Sequence, residues 1–98
     1  MKELMISKLQ KWYLSQCDGK WEHKYGIAIN NLDNPGWSLA IDLIDTNLEN
    51  CDFASVSIQR QSEYDWVQCN RNPSKFIGHC GPENLAEMLS VFLDWAAT

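Results

Sequence analysis

Residues 3 to 16 place apolar side chains at helical spacing. Met5, Leu9 and Trp12, continued by Gln16, fall on one stripe with Tyr13 beside it, which predicts an amphipathic helix. The pattern breaks at Cys17-Asp18-Gly19-Lys20, where aspartate and glycine favour a turn. From Trp21 the period shortens to two. Trp21, His23, Tyr25, Ile27 and Ile29 alternate with Glu22, Lys24, Gly26, Ala28 and Asn30, predicting a strand with one apolar face. Trp37, Leu39, Ile41 and Leu43 repeat the alternation against Ser38, Ala40 and Asp42. Between the two runs, Asn34-Pro35-Gly36-Trp37 has type II turn chemistry. Proline sets φ at the second position and glycine accepts a positive φ at the third. The aromatic residues between 21 and 37 are therefore expected on the buried face of an antiparallel hairpin.

Residues 45–52 form an acidic connection to a third run, 53–60, in which Ala54, Val56 and Ile58 oppose Ser55, Ser57 and Gln59. Residues 64–70 predict a fourth strand and 75–79 a short fifth, after the Asn72-Pro73 turn. A second helix closes the chain, with Gly81 expected at the N-cap, Pro82 at the first helical position and Glu83 in the first turn. Leu85, Met88, Leu89, Phe92 and Ala96 make its apolar stripe, and Trp95 adjoins it. The order predicts an α+β fold: a four- or five-stranded antiparallel meander with the N-terminal and C-terminal helices packed on one face. The chain has 98 residues and no internal repeat, so residues 1–98 read as a single domain.

Charge and cysteine usage narrow the classes of function. Thirteen acidic residues against eight basic ones leave a formal net charge of −5. That disfavours nucleic acid and anionic membranes and suits a basic protein partner. No apolar run approaches the length that spans a bilayer. The start lacks a signal peptide's apolar run and small-residue cleavage site, so a cytoplasmic protein is expected. Cys17, Cys51, Cys69 and Cys80 show no compact framework and are expected to be reduced thiols.

Four kinds of chemistry compete with ordinary structural roles for these residues. Structural zinc sites show paired cysteine or histidine hooks at short spacing; none occurs here, and no metal or other cofactor is expected. Cys80 sits between a predicted strand and helix, where a helix dipole lowers a thiol pKa; the Gly78-His79-Cys80-Gly81 stretch faintly resembles the loop of rhodanese-like sulfurtransferases. Pro82 removes a backbone donor there and Glu83 adds negative charge, both unfavourable to an anionic persulfide. His23 lies on the apolar parity of its predicted strand and reads as a core or rim histidine rather than a catalyst. Trp21, Trp37 and Trp66, on neighbouring predicted strands, are candidates for an aromatic cage; at this spacing tryptophan more commonly fills a core. No catalytic residue is assigned.

Four segments nonetheless carry a resemblance. Residues 9–27 ("LQKWYLSQCDGKWEHKYGI"), 32–43 ("LDNPGWSLAIDL"), 65–69 ("DWVQC") and 81–95 ("GPENLAEMLSVFLDW") together resemble the bacterial immunity protein 53 family of polymorphic toxin systems. The resemblance implies a non-catalytic antitoxin that binds a cognate toxin domain encoded by a neighbouring gene. A basic toxin, an immunity protein that is a monomer or weak homodimer, and no nucleic acid or membrane partner are expected. The residues that carry the resemblance, among them Trp12, Trp21, Tyr25, Pro35, Gly36, Trp37 and Trp95, read as core and turn. The expected interface is instead an acidic edge of Glu22, Asp42, Asp45, Glu49 and Asp52. The alternatives are a small thiol enzyme using Cys80 and an aromatic-cage ligand binder.

Overall fold

The helix expected over 3–16 is present as α1 (Met5–Gln16), and its Met5, Leu9 and Trp12 stripe packs onto the core. The computed structural model describes residues 4–98; Glu3, within the span of that predicted helix, lies outside them. A four-residue helical turn follows, α2 (Trp21–Lys24). The strands are β1 (Ile27–Leu32), β2 (Gly36–Asp42), β3 (Val56–Gln59), β4 (Trp66–Arg71) and β5 (Lys75–Cys80), and α3 (Leu85–Ala96) ends the chain. One antiparallel five-stranded sheet results, in the order β1-β2-β5-β4-β3. The protein is an α+β fold, as the alternation predicts. The strand order departs from a simple meander at one place. After β2 the chain crosses to the far edge, and β3, β4 and β5 then step back until β5 pairs with β2.

That return defines the core. The register sets Leu39 beside Gly78 and Gly78 beside Cys69, and it sets Trp37 beside Cys80 and Cys80 beside Val67. Alternation turns these residues toward one face, where Met88, Leu89 and Phe92 of α3 are fully buried over them. Gly78 has no side chain because α3 lies against it; a Cβ there would stand 2.7 Å from the Met88 sulfur. Aromatic rings tie the layers together edge to face. Trp12 meets Phe92 at 4.9 Å, and Phe92 meets Phe76 at 5.1 Å. Contacts of this kind contribute about 0.5–1.5 kcal/mol each beyond their buried area. The other sheet face carries Ala28, Asn30, Ser38, Ala40, Gln68 and Asn70, and no helix among the described residues covers it.

Three local expectations are corrected. Residues 21–25 are not strand. The Asp18 carboxylate accepts the N–H groups of Lys20 and Trp21, both at 2.9 Å, while Glu22 accepts those of Asp18 and Gly19 at 3.0 and 2.8 Å. These bonds wind the chain into α2 and leave His23 exposed rather than on the core face. Trp21 is driven inward, and its indole N–H donates to the Ile44 carbonyl at 3.0 Å. The β1–β2 turn is not type II either: the Asn34–Pro35 peptide is cis, and Gly36 has no positive φ. Gly36 is required for closeness instead, since a Cβ there would run into the Cys80 carbonyl oxygen. Finally, α3 begins later than expected, with Asn84 at its N-cap rather than Gly81. Gly81 makes room for the Tyr64 carbonyl, which a Cβ would strike.

Candidate partner-binding surface

Asp42, Lys75, Arg71 and Ile27 stand at one end of the sheet, and the acidic connection packs across that end. It is held by Arg71, whose contribution no local sequence pattern signals. The Arg71 guanidinium donates to the carbonyls of Leu48 (2.9 Å), Cys51 (2.8 Å), Glu49 (2.9 Å), Pro73 (3.2 Å) and Asn72 (3.1 Å). All five of its N–H groups are thereby satisfied, and its Cζ lies 6.0 Å from the centre of the Trp95 ring. Trp95 adds a further tie, its indole N–H donating to the Asp52 carbonyl at 2.9 Å. Gln16 reaches the same segment from α1, donating to Asn47 at 3.2 Å. Because Arg71 is engaged by carbonyls, it is not drawn into ion pairs with the carboxylates around it.

The five acidic residues therefore occupy different situations. Asp45 adopts a positive φ of 62° and, like Asp52, is exposed. Glu49 is half-buried and accepts the Asp45 N–H at 3.0 Å. Asp42 is engaged on both oxygens, accepting the Gly26 N–H at 3.0 Å and pairing with Lys75 at 2.9 Å. Glu22 closes the α2 turn; hydrogen bonds from its own, Asp18 and Gly19 N–H groups hold its carboxyl below the usual carboxylate range. Asp45, Glu49 and Asp52 flank the connection itself. A shallow cleft of about 500 Å³ opens between this connection and the β4–β5 turn, lined by Glu49, Cys51, Asp52, Phe53, Arg71 and Pro73.

A second polar group, at the opposite end of the sheet, also lay outside the sequence reading. Arg60 pairs with Asp65 at 2.9 Å and with Glu87 at 2.6 Å, joining the β3–β4 hairpin to the first turn of α3. Asn84 donates to the same two carboxylates at 2.9 and 3.1 Å. The Asn84 hydrogen bond and the Arg60 guanidinium hold the Asp65 carboxyl low; for Glu87, Arg60 dominates and Asn84 adds to it. The Asn84-x-x-Glu87 spacing is a helix-start pattern legible in the chain.

The other candidate chemistries find no geometry. Cys80 is 0% exposed, and burial pushes its thiol up to about 11 and that of Cys69 up to about 12. Both are protonated at neutral pH and shielded, the reverse of a poised nucleophile. The three tryptophans of the proposed cage diverge. Trp21 packs beside Trp12 at 6.2 Å, Trp37 donates to the Pro82 carbonyl at 3.0 Å, and Trp66 alternates onto the opposite sheet face from Val67. Among the described residues, no group of three or more His, Cys, Asp or Glu side chains is placed to hold a metal ion. No helix among them is long and apolar enough to cross a membrane.

The class so defined is a small two-layer α+β domain that offers surfaces: a clamped acidic end, a helix-free sheet face and an open sheet edge. The immunity protein 53 family matches residues 6–97, nearly the whole chain, and the chain belongs to that family. No curated protein and no solved structure matches it.

Proposed function

We propose that this protein neutralises a cognate bacterial toxin domain by binding it in the cytoplasm, without catalysis. The observation that carries the reading is the family match, which runs from the first turn of α1 through every strand to the end of α3. The acidic end is the proposed contact surface, with exposed Asp45 and Asp52 and half-buried Glu49 as the charges of the connection and Asp42 and Glu22 beside them. An excess of acid at one end complements a basic toxin active site, steers encounter and occupies the site in the substrate's place. Buried thiols and a diverged tryptophan set support this reading over the sulfurtransferase and aromatic-cage alternatives.

Co-expression with the toxin domain encoded by the neighbouring gene tests the function. Survival of the cells and co-purification of the two chains are expected; death despite abundant folded protein refutes it. The triple reversal Asp45→Lys, Glu49→Lys, Asp52→Lys tests the surface. It spares Asp42 and Glu22, whose local bonds support the fold. Association is expected to slow by about tenfold or more at low salt, the range of electrostatic steering. Association and protection equal to the parent would place the interface elsewhere.

A further inference from the structure

Asn84 stands at the N-cap of α3 without using its side-chain oxygen as a cap. Its amide nitrogen donates instead to Asp65 at 2.9 Å and to Glu87 at 3.1 Å. Turning the amide over would set Oδ1 against those two carboxylates, so the orientation is fixed. Oδ1 is thereby aimed away from them, toward Gly81, and it accepts no hydrogen bond although Asn84 is only 6% exposed. A polar atom buried in this state is costly unless something meets its lone pairs. The Tyr64 carbonyl is in the same condition. It packs against Gly81 from the turn before β4 and accepts no hydrogen bond among the described residues. Both oxygens crowd the point where a Cβ on Gly81 would stand, Oδ1 at 2.7 Å from it. Two unpartnered carbonyl oxygens thus converge beside a residue that has no side chain.

Beside them opens a cavity of about 390 Å³, lined by Ser62, Tyr64, Asp65, Glu83 and Asn84. Every polar side-chain group of these residues is an oxygen, apart from the Asn84 nitrogen already engaged. Arg60 holds both oxygens of Glu87 but only one of Asp65. Glu83 makes no ion pair among the described residues. The carboxylates of Asp65, Glu83 and Glu87 face the single guanidinium of Arg60, so negative charge is left over at this corner.

We propose that the corner binds a calcium ion. Its ligands are Asn84 Oδ1, the Tyr64 carbonyl, the second oxygen of Asp65 and the Glu83 carboxylate, with water completing the shell. Calcium takes about 6–8 oxygens and accepts carboxylates and carbonyls together. A water molecule alone would donate to both carbonyls but would leave the surplus charge unbalanced. Magnesium demands near-ideal octahedral geometry and gives up its own waters reluctantly, so a site built from amide and backbone carbonyls does not suit it. The three carboxylates outweigh the guanidinium and the positive end of α3. With only two carboxylates as ligands, the site falls in the weak range, a Kd of about 10⁻⁴–10⁻³ M. A bound ion would tie the β3–β4 hairpin to the start of α3. It lies at the other end of the sheet from the proposed toxin contact, and the inference holds whether or not a toxin binds there.

Titration of chelator-treated protein with calcium chloride, by isothermal calorimetry, reads the binding. The side-chain amide resonances of Asn84 read the place and should move with the same Kd. At about ten times that Kd, calcium should raise Tm by about 5–10 °C, and magnesium at the same concentration should not. Glu83 is exposed and bonded to nothing in the fold, so Glu83→Gln is expected to fold and to weaken calcium binding by about tenfold or more. The triple reversal Asp45→Lys, Glu49→Lys, Asp52→Lys should keep the calcium response, which separates this site from the acidic connection. Circular dichroism confirms that each variant is folded. The absence of binding up to about 10 mM calcium, ten times the weakest affinity expected, overturns the proposal. So does an equal response to magnesium, a folded Glu83→Gln variant that binds like the parent, or a response that vanishes in the triple reversal. Movement of the Asn84 resonances that needs the toxin domain and no calcium overturns it too, and assigns the corner to a basic group of the toxin.

Discussion

Replacing Arg71 with alanine should release the acidic connection from the sheet. Two of the five carbonyls that Arg71 serves, those of Leu48 and Glu49, take part-buried bonds, and the other three lie where water can replace the guanidinium. The two part-buried bonds contribute about 1 kcal/mol each. Loss of the contact with the Trp95 ring adds about 0.5–1 kcal/mol. The expected cost is therefore about 2–3 kcal/mol, which for a domain of this size lowers Tm by about 10–20 °C. Urea unfolding gives the free energy. Amide exchange over residues 45–53 shows where it is lost, with faster exchange there and little change in β2 and β5. Arg71→Lys retains the charge on a single nitrogen that cannot span five carbonyls, and should recover less than half of the loss. A cost below about 0.5 kcal/mol for Arg71→Ala, within the range of an ordinary surface substitution, refutes the clamp.

Gly36→Ala pushes a methyl group into the Cys80 carbonyl and should destabilise by about 1–3 kcal/mol; an unchanged melting temperature would mean that β2 and β5 are free to move apart. In the native protein a thiol reagent should modify Cys17 and Cys51 quickly and Cys69 and Cys80 only after unfolding, so rapid native labelling at Cys80 contradicts its burial. The two buried thiols titrate above the ordinary cysteine value of 9.0, so their contribution to stability is complete below that pH. It is lost as pH rises through about 11 and 12, and urea midpoints on that alkaline limb should fall less steeply in Cys69→Ala than in the parent. The Asp65 and Glu87 carboxyls are held low, so the stability they confer is present at neutral pH and lost as pH falls through their native values. Arg60→Gln should flatten that acid limb, and an unchanged acid profile would dissociate the network from stability.

The elements that were legible in the chain are those whose burial is one-sided and continuous. Leu39 and Ile41 are fully buried on β2, Met88, Leu89 and Phe92 on α3, and each set follows its own period. Trp21 to Tyr25 misled because a spacing of four suits both periods. The deciding features were Asp18 and Glu22, which bond back to backbone N–H groups and favour a helical turn over strand. Gly81 and Pro82 mimic a helix start, but the helix is capped at Asn84, with Glu87 three residues beyond it. The β2–β5 pairing and the Arg71 clamp join distant parts of the chain, and no local pattern encodes them. The same limit applies to the surface: acidic residues can be counted in the chain, but which of them are engaged, like Asp42, and which face outward, like Asp45, depends on tertiary neighbours.

The pairing of Trp37 with Cys80 also has a consequence in time. The chain is made from its N-terminus, so β1 and β2 wait as a hairpin, with Leu39 and Ile41 uncovered, until β5 has been synthesised. Only then does β5 arrive to fill the gap, with α3 behind it to cover the apolar face. Contacts this distant in sequence are slow to form, because a long loop must close before they stabilise anything. The β1–β2 and β3–β4 hairpins therefore cannot join into one sheet before β5 is made, and a chain stalled short of it presents an open, sticky hairpin rather than a partly working domain. On the proposed function, protection would lag behind synthesis by the whole folding time. A cell exposed to the toxin would then depend on molecules finished beforehand, and its safety would be set by a standing pool rather than by the speed of its response.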